Sequence, residues 1–140
     1  KLPAVMRDFY ARANGCSLFG GALTIDGLRF DYDRSLADTA RQPVSIRTAN
    51  MKVRPKCADI SSIFFGWYKY DGSCLLFGRD EAVLMCPPSV AQPILYRWNS
   101  FPEMLVSEVK RLAAMFDDAG RKIDKDAPTI PPLAITRGTA

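Results

Sequence analysis

The chain has 140 residues, 48% hydrophobic and 24% charged, with a net charge of +4. That is one domain's length, enough to bury roughly two thirds of the unfolded surface around a single core, and too short for two enzyme domains. It contains no histidine, which excludes Ser-His-Asp and Cys-His relays, HExxH zinc sites and imidazole acid–base chemistry within the chain.

Leu2, Val5, Met6, Phe9 and Ala13 recur at helical spacing after Pro3, and Asn14-Gly15 suits a left-handed cap, so a short amphipathic helix opens the chain. Gly20-Gly21 then leads into Leu23, Ile25, Leu28, Phe30 and Tyr32, an alternation broken at Asp26-Gly27 that reads as strand or a small hairpin. Residues 33–42 have room for one or two helical turns, and 43–56 shows no clean period beyond Val44 and Ile46.

The strongest strand signal runs from Ile63 to Tyr70 and enters Asp71-Gly72, a dipeptide suited to a tight turn. By simple alternation Phe65 and Trp67 face one side, and Phe64, Tyr68 and Tyr70 the other. Residues 74–77, 82–86 and 93–98 continue as strands, and turns this short make neighbours antiparallel. Ser100-Phe101-Pro102-Glu103 is a capping box that starts a long helix. Its apolar stripe is Leu105, Val109, Leu112 and Phe116, with Glu108, Lys110 and Arg111 off the stripe and Gly120 at the end. The charged, proline-bearing segment 121–140 is expected to be extended or partly mobile. The predicted fold class is therefore α+β: a mostly antiparallel sheet of four to six strands, with an N-terminal and a long C-terminal helix packed on it. Residues 1–120 form the domain and 121–140 the tail.

Cys16, Cys57, Cys74 and Cys86 include no CxxC pair, and apolar neighbours flank Cys74 and Cys86, as expected of reduced thiols in a cytoplasmic protein. No phosphate-binding glycine loop occurs, and no metal or cofactor is expected. Asp31 and Asp33 would share a strand face, but such a pair is more simply a solvated one than a glycosidase dyad. The longest uncharged stretch, 82–96, contains three prolines and cannot cross a bilayer as a regular helix. Between Asp38 and Asp59 there is no acid, whereas Arg41, Arg47, Lys52, Arg54 and Lys56 all fall inside. This basic segment reads as a solvated loop, a patch for an acidic protein or a track for phosphates.

Four places carry a resemblance: Leu2-Pro3 with Phe9-Tyr10 and Asn14-Gly15; Gly20-Gly21 with Leu23; Phe65-Gly66-Trp67 through Tyr70-Asp71-Gly72; and Trp98 with Ser100-Phe101 through Met104-Leu105. In this order and spacing the chain resembles the SMI1/KNR4-like, or SUKH, superfamily. The resemblance implies an α+β fold without catalytic activity, used in many bacterial members for immunity proteins that bind and neutralise toxin domains. Its net positive charge departs from the acidic surface common among inhibitors of basic nucleases. The chain begins with Lys, so an element upstream of Lys1 is expected.

The expected function is non-enzymatic binding of a cognate toxin or other protein, by a monomer or a homodimer. Arg47, Lys52, Arg54, Tyr68 and Tyr70 are the candidate contacts, because they combine positive charge with aromatic anchors. The alternative is a nucleic-acid-associated module that uses the basic segment 41–56.

Overall fold

A computed structural model describes residues 2–28, 45–52, 54–88 and 94–132. Their elements are α1 (Ala4–Arg12), β1 (Cys16–Leu18), β2 (Leu23–Ile25), α2 (Ile46–Lys52), β3 (Ile63–Tyr68), β4 (Cys74–Phe77), β5 (Val83–Cys86), β6 (Tyr96–Trp98) and α3 (Phe101–Ala113). The six strands form one antiparallel sheet in the order β1-β2-β3-β4-β5-β6, so every strand pairs with its neighbour in sequence. The architecture is α+β.

Local chemistry explains the turns and the last helix. Asp71 accepts the Ser73 amide (2.8 Å) and hydroxyl (2.7 Å), and Gly72 takes φ +77°, which closes the β3–β4 hairpin. The first hairpin is β1–β2 around Gly20-Gly21, with β1 upstream of the strand signal in the sequence. At the start of α3, Ser100 Oγ accepts the Glu103 amide (3.3 Å), and Glu103 reaches back to accept the Asn99 amide (3.0 Å).

Both faces of the sheet are covered. On one side α1 and α3 bury Met6, Tyr10, Leu23, Ile25, Phe65, Tyr68, Leu75, Phe77, Val83, Met85, Trp98, Phe101, Met104 and Leu112 in a common core. Phe9 stacks edge-on against Phe101 (5.2 Å between ring centroids), and Phe101 against Phe65 (5.6 Å), which joins the two helices to the centre of the sheet. On the other side α2 places Ala49 over Phe64, Cys74, Leu76 and Cys86, with Trp67, Cys57 and Leu84 at the margin. All four residues of β4 are buried, as befits a strand enclosed on both faces.

The side-chain pattern of β3 departs from simple alternation. Phe64 lies opposite Leu76 and Gly66 opposite Leu75, leaving Phe65 as an extra residue in a β-bulge. Beyond it the phase is reversed: Phe65 and Tyr68 share the α1/α3 face, while Phe64 and Trp67 share the α2 face. Gly66 fits here because a Cβ would stand 2.5 Å from the Thr24 carbonyl oxygen on β2.

In α3 the core residues are Phe101, Met104, Glu108 and Leu112, whereas Val109 is exposed. The expected stripe is therefore rotated, and Glu108 lies inside it. The helix stops at Ala113, before Gly120. Residues 121–132 then fold back on its end: the Ile123 amide donates to Met115 O (2.9 Å), Phe116 bridges Lys122, and Thr129 is buried.

Gly66→Ala should cost about 1–3 kcal/mol, because the colliding atom is backbone of a paired strand and cannot rotate away. A chemical-denaturation midpoint that stays unchanged would contradict this account of the bulge.

Candidate functional site

The five expected contact residues do not form one patch. Tyr68 is fully buried on β3, and its hydroxyl donates to Glu108 Oε2 at 2.7 Å. Arg111, one turn on along α3, clasps the same carboxylate with Nη2 (2.6 Å) and Nε (3.0 Å), and its Nη2 also donates to Thr129 O (2.7 Å). Burial, reinforced by Glu108, pushes the Tyr68 phenol far above its ordinary value and keeps it a donor. Burial works against the Arg111 charge, yet the Glu108 carboxylate holds that guanidinium above its ordinary value. Tyr68 is thus an interior residue and not a surface anchor; the bulge turns it toward α3.

Arg54 is likewise committed to the fold. Its Nη1 donates to Asn50 Oδ1 (3.1 Å), and its Nη2 to Ser62 O (2.8 Å) and Asp59 O. Asn50 in turn brackets Phe64, accepting its amide (2.9 Å) and donating to its carbonyl (2.6 Å). These bonds fasten α2 and the following loop to the beginning of β3. Arg47 and Lys52 are exposed on α2, beside the exposed Met51. Arg41, Asp31 and Asp33 lie outside the described residues.

Tyr70 stands apart from that group, past the end of β3 at Tyr68 and in the turn that leads to β4. It is 52% exposed. It borders a shallow depression of about 240 Å³ lined also by Phe19, Lys69, Phe116, Lys122 and Thr129. Phe19, at the β1–β2 turn, packs on Phe116 with ring centroids 5.4 Å apart. Lys122 Nζ lies 6.0 Å from the Tyr70 ring centroid while donating to Lys125 O (2.9 Å) and Ala127 O. The result is an aromatic floor between two lysines. Phe19, Phe116 and Lys122 were not among the sequence candidates: each has ordinary neighbours in the sequence, and only the fold-back after α3 assembles them.

A separate buried ionisable group lies where β2 ends. Asp26 is 1% exposed, and its Oδ1 has no hydrogen-bond partner among the described residues. Its backbone is fully engaged, with the amide donating to Phe65 O (2.7 Å) and the carbonyl accepting Tyr10 Oη (2.6 Å). Burial raises the carboxyl from 3.8 to about 7. Next to it Gly27 O accepts the Ile46 amide (2.7 Å), so this corner joins α1, β3 and α2. Among the described residues, no three His, Cys, Asp or Glu side chains are arranged to hold a metal ion, and no helix is long and apolar enough to cross a membrane.

No protein-family model, curated protein or solved structure matches the chain.

Two measurements check these assignments. Arg111→Leu should cost about 3 kcal/mol by leaving the buried Glu108 carboxylate without its cation. Adding Glu108→Gln should recover part of that loss in a double-mutant cycle followed by urea unfolding. For Asp26, the unfolded chain ionises first as the pH rises from about 4, while the folded chain keeps the proton until about 7. This group therefore makes stability fall with rising pH across that window, and Asp26→Asn should flatten the slope in pH-dependent thermal unfolding.

Proposed function

We propose that this chain is a non-catalytic binding protein that captures a partner protein on the depression around Tyr70. The observation that carries the reading is the half-exposed Tyr70 on the β3–β4 hairpin turn, with an aromatic floor and Lys69 and Lys122 beside it. An aromatic side chain held beside positive charge contributes much of the energy at protein interfaces, because the ring loses little entropy on binding and the cation selects the partner's charge. The partner therefore presents an apolar side chain next to an acidic one.

Two sets of charged side chains serve the protein's own fold. Glu108 and Arg111 join α3 to β3 and to residue 129, and Arg54 closes the loop after α2. The SMI1/KNR4-like resemblance supplies the class of partner: a toxin domain neutralised inside the cell that produces both proteins. What supports that finer reading is the order of the resembling residues and their setting on an antiparallel meander flanked by helices. Tyr70 alone of the five expected contacts lies at this depression; Arg47 and Lys52 are exposed on α2, away from it.

The test is calorimetric titration with the protein encoded by the neighbouring reading frame. Tyr70→Ala combined with Lys69→Glu should weaken binding by about 2 kcal/mol, roughly 30-fold in Kd, with the melting temperature little changed. Equal binding by the variant removes the depression from the interface. Absence of binding to that protein, together with retention on duplex DNA that falls steeply with salt, would replace this reading with the nucleic-acid one.

A further inference from the structure

Three of the four cysteines meet on the α2 face of the sheet. Cys74 on β4 and Cys86 on β5 are directly opposite each other, a pairing that holds Cα atoms about 4.5–5.5 Å apart. Cys57, on the loop between α2 and β3, packs against the same cluster, near enough to contribute to raising both strand thiols. All three are free thiols; the strand pair is buried, whereas Cys57 is partly exposed. Arg54 holds the loop that carries Cys57 in place through Asp59 O and Ser62 O.

A solvent-accessible thiol backed by buried thiols is the arrangement of a cysteine that meets an oxidant and a cysteine that resolves the product. We propose that Cys57 is a site of hydroperoxide oxidation and that Cys86 resolves it to a disulfide, stapling the α2–β3 loop to the sheet. In the first step the Cys57 sulfur attacks one peroxide oxygen and the O–O bond breaks. The departing hydroxide takes the thiol proton as water, leaving Cys57 as a sulfenic acid, oxidised by two electrons. In the second, the Cys86 sulfur attacks the Cys57 sulfur. The S–S bond forms, the S–O bond breaks, and hydroxide leaves with the Cys86 proton as a second water. Two thiols and one hydroperoxide thus give one disulfide and two waters when the oxidant is hydrogen peroxide.

Cys86 is the better resolving thiol of the two. The Cys74 S–H donates to Gly72 O at 3.4 Å and is held there. Burial, with Cys57 nearby, raises both strand thiols, Cys74 to about 12 and Cys86 to about 11. Cys16 belongs to the core on the opposite face and serves as an internal control.

Trypsin separates all four thiols, since Arg12, Arg29, Lys56, Lys69, Arg79 and Arg97 place them on peptides 13–29, 57–69, 70–79 and 80–97. The reduced full chain is treated with equimolar hydrogen peroxide, quenched with an alkylating agent and mapped by mass spectrometry without reduction. The expected product is a 57–69/80–97 cross-link within one chain, with Cys16 and Cys74 alkylated. Cys57→Ser should abolish it, Cys16→Ser should leave it intact, and Cys86→Ser should let dimedone trap the Cys57 sulfenic acid. Recovery of Cys57 as thiol or sulfinic acid without the cross-link overturns the proposal. So does a link between two chains, or a 70–79/80–97 link that persists in Cys57→Ser.

Discussion

One extra residue in β3 decides what each face of this protein contains. The bulge at Phe65 reverses the phase of the strand after Phe64, sending Phe65 and Tyr68 under α1 and α3 and Trp67 toward α2. Without that shift Tyr68 would lie on the α2 face, out of reach of Glu108, and α3 would carry a buried carboxylate with one partner fewer. The bulge in turn depends on Gly66, whose missing side chain lets β2 approach closely. Sheet register, helix docking and the interior ion pair thus share a single local cause.

The interior polar network and the surface depression divide the protein's charged chemistry between them. Glu108, Arg111 and Tyr68 satisfy one another in a nearly dry environment, where an unpaired member would be costly. Lys69 and Tyr70 sit two short steps away along the chain yet face solvent, because β3 ends at Tyr68 and its hairpin turn begins there. The same strand therefore supplies a structural tyrosine and an accessible one.

The features legible in the sequence are those written in local chemistry. Asp71-Gly72 and the Ser100–Glu103 box announce a turn and a helix start through contacts within four residues, and the structure has both. The meander followed from the short turns. Three features were not legible for a common reason: each depends on contacts distant in sequence. The bulge answers to β2; the burial of Glu108 answers to Tyr68, forty residues upstream; and α2 is held by Asn50 bonding to Phe64 rather than by its own periodicity. Of the candidate site, Tyr70 was visible as an aromatic beside a turn, but its neighbours Phe19 and Phe116 come from opposite ends of the domain. Arg54 looked like surface charge because sequence alone does not show that three acceptors surround a guanidinium.

Thr129 links the two halves of this picture. Its carbonyl is gripped by Arg111, and the residue itself forms part of the depression beside Tyr70. The wall of that depression is consequently anchored from within the core, through a guanidinium that also serves Glu108. A genetic screen for lost recognition would therefore recover interior positions on α3 alongside surface ones, and their side chains would never have touched the partner.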